Sequence, residues 1–253
     1  MRFASLGSGS RGNATLIEAG DTRVLVDCGF SCAETGKRLE RLGLCATDLD
    51  AILVTHEHSD HISGVARLSR RFRIPVWMTM GTAAVHRGGE VEQLHCFSSH
   101  QTLEIGDLVV EPFTVPHDAR EPCQFVFHDG RFRLGLVTDT GAITPHMVQA
   151  LTRLDALVLE CNHDPALLAS GPYPPSLKQR VGGRFGHLSN EQAADLLEQI
   201  DCSGLQHLLA AHISDKNNRP ELAREALANA LGCPAGEIEV ADQVKGFGWR
   251  QMI

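Results

Sequence analysis

No stretch of ~18 consecutive apolar residues, the length a membrane-spanning helix needs, occurs anywhere in the 253 residues. The start, Met1-Arg2-Phe3-Ala4-Ser5-Leu6-Gly7-Ser8, turns polar at once. With no apolar core of an export signal behind it, the chain is read as cytoplasmic and without a membrane partner. The eight cysteines contain no C-x-x-C pair. Most sit in apolar surroundings, such as Val26-Asp27-Cys28 and Leu159-Glu160-Cys161, so buried free thiols are expected rather than disulfides. Positive charge is also short. The formal net charge of −8 supplies no global field to draw in nucleic acid. A polyanionic substrate would need a local basic patch and metal ions. Linkers, low-complexity tracts and short repeats are missing too, and no feature marks an obligate protein partner. Residues 1–253 therefore read as a single domain.

What is present is a 43% hydrophobic chain with ordinary charge content, enough for a sizeable core. Asn13 to Glu18 and Arg23 to Asp27 are β-rich runs joined through Ala19-Gly20-Asp21, a hairpin pattern. Ser31 to Leu42 has helical spacing closed by Gly43. Asp50 to Thr55 is a buried strand, and a helix is expected from Ser63 to Phe72, ending before Pro75. His95 to Val137 reads as strand and turn. Beyond Thr138, helices (Pro145 to Leu154, Asn190 to Ile200, Pro220 to Leu231) alternate with apolar strands (Ala156 to Leu159, Leu205 to Ala210). Strand-rich stretches flanked by helices in both halves imply an α/β fold. Two sheets face each other with helices outside, a four-layer αββα sandwich.

The densest chemical signal is Thr55-His56-Glu57-His58-Ser59-Asp60-His61, set directly after a buried strand. Three imidazoles and a carboxylate in six residues are costly to gather unless a cation binds them. Neutral imidazole and carboxylate are the ligands that Zn²⁺ and its first-row neighbours accept. The spacing is not that of a two-histidine helix face, so a curling loop is expected to aim the side chains into adjacent sites.

The pattern H-x-H-x-D-H resembles the signature of the metallo-β-lactamase superfamily, and the resemblance runs the length of the chain. It implies two divalent metal ions (Zn²⁺ or Mn²⁺, or else Fe²⁺). His56 and His58 would bind one metal, Asp60 and His61 the other. The family's later ligands match His117 in Val115-Pro116-His117-Asp118, Asp139 in Val137-Thr138-Asp139-Thr140, and His212 in Ala210-Ala211-His212-Ile213. Asp27, closing Val24-Leu25-Val26-Asp27, matches an early aspartate that orients a ligand; a plain turn aspartate is the other reading. Hydrolysis by a metal-bridging hydroxide is the implied reaction, with Asp60 in the machinery.

Three features bear on the bond cut. Asp139 stands where many true β-lactamases have cysteine, and a hard oxygen bridge suits phosphodiester hydrolysis. Gly186-His187-Leu188-Ser189-Asn190 opens a helix; it is either a simple cap or a phosphate site at a helix start with His187 facing the metals. It is similar to a turn in phosphodiesterases of the RNase Z type. Lastly, Glu160-Cys161-Asn162-His163-Asp164, the run Gly171-Pro172-Tyr173-Pro174-Pro175-Ser176-Leu177-Lys178-Gln179-Arg180, Ser8-Gly9-Ser10-x-Gly12-Asn13 and Lys216-Asn217-Asn218 resemble the YycJ (WalJ) branch. That branch is regarded as 5′-to-3′ DNA exonucleases, which makes a DNA end with a 5′-phosphate the expected substrate. The resemblance puts Ser8, Ser10, Asn13, His187 and Ser189 around that phosphate. Lys178 and Arg180, with Arg184, form a local basic cluster, read either as a phosphate path or as a solvated helix face. His163 is either a proton donor to the leaving oxygen or a packed histidine. A small-molecule, PhnP-type cyclic phosphodiesterase and a non-hydrolytic metal-binding regulatory protein remain as rival readings.

Overall fold

The computed structural model describes residues 1–253. In chain order the elements begin with strands β1 (Arg2–Gly7), β2 (Ala14–Ala19) and β3 (Thr22–Val26), then helix α1 (Cys32–Glu40). Next come β4 (Ala51–Leu53), α2 (Ser59–Ile62), α3 (Val65–Phe72), β5 (Val76–Thr79), α4 (Met80–Val85) and β6 (Leu94–Phe97). The second half holds β7 (Leu103–Ile105), β8 (Leu108–Thr114), β9 (Cys123–His128), β10 (Arg133–Val137), α5 (Pro145–Ala150) and β11 (Ala156–Glu160). It continues through α6 (Pro165–Ser170), α7 (Pro175–Val181), α8 (Asn190–Gln199), β12 (His207–Ala211), α9 (Pro220–Leu231), β13 (Glu239–Val240) and β14 (Phe247–Gln251).

The strands form two mixed seven-stranded sheets, ordered β14-β1-β2-β3-β4-β5-β6 and β13-β12-β11-β10-β9-β8-β7. In each, one half is antiparallel and the other parallel: β3 to β6 in the first, β10 to β13 in the second. Side-chain alternation explains why the sheets stack and take helices outside. On β11, Ala156 and Val158 enter the cluster between the sheets, while Leu157 and Leu159 enter the cluster beneath the outer helices. On β4, Ala51 and Leu53 face the other sheet, and Ile52 and Val54 face α1 and α3. Three apolar clusters thus fill three interfaces, which is the expected αββα sandwich. No helix is long and apolar enough to cross a membrane.

Several boundaries move, each for a local reason. Ser31 caps α1 by accepting from the Glu34 N–H, and Gly43 adopts the left-handed φ of +76° that ends the turn. The helix expected from Ser63 begins at Val65, and a separate single turn, α2, precedes it; Asp60 and His61 therefore sit on helix rather than loop. The helix expected to Leu154 stops at Ala150, and Arg153 turns left-handed at φ +58° to enter β11. The polar-looking start, Arg2–Gly7, is a largely buried strand between β14 and β2, because the C-terminal Phe247–Gln251 returns to cover its edge. All eight cysteines are free; Cys28, Cys32, Cys123 and Cys161 are buried, whereas Cys45 and Cys96 are exposed.

Phe125 is fully buried between the sheets against Phe97 and Phe127. Phe125→Ala is expected to lower unfolding free energy by about 3–5 kcal/mol. Denaturant titration measures this, and a loss under 1 kcal/mol would contradict the packing described.

Candidate metal centre

The parallel strands of both sheets end at one rim, and the strand ends carry the polar residues. Asp27 follows β3, His56 follows β4, Asp139 follows β10, Glu160 ends β11 and His212 follows β12. β8 runs in the same direction as β10, since both pair antiparallel with β9, so His117 arrives at the same rim. Asp27, Asp139 and His212 have left-handed φ of 61°, 55° and 52°. That conformation is uncommon for non-glycine residues and marks sharp exits from the sheet toward a shared centre. Backbone also packs closely there. A Cβ on Gly29 would sit 1.8 Å from the Asp60 carbonyl oxygen, so only glycine lets the loop after β3 brace the Asp60 turn.

The donor atoms fall into two groups that share a carboxylate. His56, His58 and His117 converge on one side, with His117 Nε2 3.2 Å from His58 Nδ1 and 3.9 Å from Asp139 Oδ1. Asp60, His61 and His212 converge on the other, where Asp60 Oδ2 is 3.6 Å from both His61 Nε2 and His212 Nε2. Asp139 lies between them, its Oδ2 2.8 Å from His61 Nε2, and it is only 2% exposed. His56 Nε2 and His212 Nε2 are buried with no hydrogen-bond partner. Each such atom costs roughly 1–3 kcal/mol unless something supplies the missing interaction. A pair of divalent cations bound by neutral nitrogens and a carboxylate bridge fits these orphaned atoms.

The far edge of each imidazole is engaged, which fixes the ring and its free nitrogen. His61 Nδ1 is 2.7 Å from Asp27 Oδ2, and Asp27 also accepts from the Thr55 N–H and hydroxyl. His117 Nδ1 donates to the Gly186 carbonyl at 2.9 Å, and His56 Nδ1 meets Thr55 Oγ1 at 2.9 Å. Glu160 was not among the expected site residues, yet it anchors two rings: His212 Nδ1 at 3.0 Å and His187 Nδ1 at 2.8 Å. Its other oxygen accepts from the Thr140 and Leu188 N–H groups. The available signal was a carboxylate closing the apolar run Ala156-Leu157-Val158-Leu159. Glu57, inside the histidine motif, accepts from the Arg120 N–H and ties the loop after β8 to the histidine loop.

Charge follows from this packing. Burial opposes ionising Glu160, but His187 and His212 overcome it and hold the carboxyl down at about 2. Burial likewise opposes the His212 cation, and the carboxylates of Asp139, Asp60 and Glu160 push it up to about 10. Asp139 is held well below the usual carboxylate range against its burial by His212 and His61. His56, where burial and the neighbouring His61 act together, is pushed well below the ordinary histidine value and stays neutral.

Over the donors opens a cavity of about 340 Å³, lined among others by Ser10, Tyr173, Arg180 and His187. With Nδ1 held by Glu160, His187 presents its Nε2 edge to this space. Ser8 and Asn13 lie outside the lining of this cavity. Ser8 Oγ accepts from the His212 N–H at 2.9 Å, and Asn13 Nδ2 lies 3.0 Å from His61 Nε2, with Oδ1 fixed by the Gly9 N–H. The glycine-rich turn thus braces the donors of both halves. Ser189 is spent as the cap of α8, in a capping box with Gln192. Lys178 Nζ turns back to the Ala169 carbonyl, outside the cavity lining, while Arg180 Nε pairs with Asp118 Oδ2 at 2.5 Å on the rim. His163 is buried outside the lining; its carbonyl accepts from the Asn190 N–H, and its ring Nδ1 has no hydrogen-bond partner. Tyr173, the single tyrosine of the chain, and Asp118 line the cavity, although neither was expected there.

Residues 22–213 match the family model of the beta-lactamase superfamily domain. The chain is 36% identical over 252 residues to the exodeoxyribonuclease YycJ of Bacillus anthracis, covering 98% of this chain and 91% of that protein. It is 35% identical over 237 residues to the exodeoxyribonuclease WalJ of Streptococcus pneumoniae, covering 91% and 88%. Among solved structures, the metallo-beta-lactamase fold protein YhfI from Bacillus subtilis has a TM-score of 0.76 at 18% identity, over 98% of both chains. Zn²⁺-bound PqqB from Methylobacterium extorquens has a TM-score of 0.72 at 16% identity, over 99% of this chain and 100% of that one. At these identities the two structures speak for the fold alone.

Two outcomes are expected. In metal-free protein the His212 proton, held to about pH 10 against an ordinary value of 6.5, stabilises the fold fully below the latter and ceases to do so as pH rises through the former. A cation must displace that proton, so Zn²⁺ binding at about pH 8 should release it and tighten as pH rises. Calorimetry in buffers of different ionisation enthalpy reads the proton count, and binding without release would contradict the assignment. Glu160→Gln removes the anion behind two rings, and chelator competition should show metal affinity falling ~10–100-fold.

Proposed function

The chain belongs to the metallo-β-lactamase superfamily, and we propose that within it the protein is a dinuclear phosphodiesterase that degrades DNA from the 5′ end. It is a metal-dependent hydrolase. The observation that carries the reading is the pair of donor groups sharing Asp139 at the floor of a cavity that Arg180 and Tyr173 also line. The two relatives matched over most of their length are named exodeoxyribonucleases, which supports DNA as the polymer.

In this reading His56, His58 and His117 would hold one cation and Asp60, His61 and His212 the other, with Asp139 available to both. Zn²⁺ or Mn²⁺ suits these ligands, as does Fe²⁺. When bound, the two cations lower the pKa of water and neutralise charge on the phosphoryl oxygens. The residues of the chain do the rest. Asp27, Glu160 and the Gly186 carbonyl keep each imidazole turned so that the correct nitrogen is free. Burial raises the cost of charging His187, but the Glu160 carboxylate prevails and lifts its pKa above the ordinary value. Its Nε2 can therefore carry a proton at neutral pH. Water adds to phosphorus, the bond from phosphorus to the 3′ oxygen breaks, and His187 supplies the proton to that leaving oxygen. The retained strand keeps a 5′-phosphate, ready for another cycle. Arg180 and Ser10 face the substrate phosphates, and Tyr173 offers a ring on which the terminal base stacks.

The first test is digestion of 5′-phosphorylated, end-labelled duplex DNA with Mn²⁺ or Zn²⁺. Stepwise loss of 5′ nucleotides is expected from wild type, and none from Asp60→Ala or His212→Ala. His187→Ala should retain metal and lose about 10²–10⁴-fold in rate, the scale of one general acid. Hydrolysis of bis-p-nitrophenyl phosphate without DNA cleavage would move the substrate to a small phosphodiester. Wild-type rates in fully metallated Asp60→Ala would end the metal mechanism.

A further inference from the structure

A second concavity, a groove of about 770 Å³, adjoins the cavity. Ser59 and Asp118 line both, so the two spaces lie side by side across these residues of the rim. The groove's far wall carries Arg87 and Arg120, both exposed and neither in an ion pair. Its floor is the apolar Ile62 and Val85. Two acids also line it: Glu57, which accepts from the Arg120 N–H and keeps its charge, and Asp118, whose charge is offset by Arg180. Arg87 and Arg120 thus leave one positive charge in excess over Glu57 at this wall, on a protein of net charge −8.

Size separates the roles of the two spaces. At about 340 Å³ the cavity is near the lower end of small-ligand sites, ~300–1,000 Å³, and takes one nucleotide rather than a strand. A polymer cut there must leave through an opening continuous with it. We propose, resting on the exonuclease reading, that the groove carries the retained strand of the DNA substrate, with Arg87 and Arg120 gripping its phosphates. The terminal nucleotide occupies the cavity on the Tyr173 side, and the strand crosses Ser59 and Asp118 to reach the arginines. This contact gives the enzyme a hold on the polymer that survives each release of a mononucleotide.

The test compares a 5′-phosphorylated dinucleotide with a long 5′-phosphorylated oligonucleotide over a range of NaCl, for metallated wild type and the R87A/R120A double variant. On the oligonucleotide the variant should raise KM about tenfold. The slope of log kcat/KM against log salt should become shallower by about 2, one for each lost phosphate contact. On the dinucleotide its kinetics should match wild type, which also establishes that it folds. The R87K/R120K variant keeps both charges and should retain most of the salt dependence. An unchanged slope and KM on cleavable DNA would overturn the groove assignment and leave the exonuclease reading standing, as would equal losses on both substrates. If wild type hydrolyses bis-p-nitrophenyl phosphate but neither DNA substrate, both readings fall together.

Discussion

The structure turns on one buried carboxylate. Asp139, almost wholly removed from solvent, is ringed by His61, His117, His187 and His212, with its nearest nitrogens 2.8–3.9 Å away. A carboxylate in such a place is unstable alone, since burial without compensation costs several kcal/mol. The rings are equally dependent on it, because four imidazoles packed together otherwise repel as soon as any two are protonated. Asp139 comes from the second sheet and His61 from the first, so this contact also fixes how the two sheets meet at their rim. The left-handed backbone at Asp27, Asp139 and His212 is the strain accepted to bring these groups together.

Around that centre, each half of the chain supplies its own orienting acid. Asp27 fixes His61 in the first half, and Glu160 fixes His212 and His187 in the second. The parallel sheets make this possible. Consecutive parallel strands end at the same edge, so residues far apart in sequence emerge side by side with their backbones already ordered. The glycine-rich turn after β1 then links the halves, with Ser8 on the His212 amide and Asn13 against Asp60 and His61. Ser8 and Asn13 in this turn bond to main chain and to buried rings, while Ser10 between them lines the cavity.

Charge is arranged economically in an acidic molecule. Arg180 at the cavity is paired with Asp118, and Arg87 and Arg120 stand unpaired at the groove. In the reading proposed above, local placement of this kind would receive a polyanion without the non-specific adhesion that a globally basic surface brings.

The sequence displayed the sandwich and the His56 to His61 cluster directly, whereas His117, Asp139 and His212 were legible only through the family resemblance. Alternating apolar residues in short strands dictate sheets buried on both faces, and a cluster such as His56 to His61 has few physical uses other than cation binding. Those signals are local, so one strand or one loop displays them. It could not show Arg2–Gly7 as a strand, because that assignment depends on Phe247–Gln251 returning to its edge from the other end of the chain. Nor could it rank the polar residues near the site. Ser189, Lys178 and His163 look as suitable as Ser10, Arg180 and His187 until packing shows which face the cavity. Glu160 gains its importance only from two rings that arrive 27 and 52 residues later. Composition and spacing determined what chemistry the chain can hold. Tertiary structure decided which atoms share a space, since a side chain's partners are set by the fold's long-range contacts and not by its neighbours in sequence.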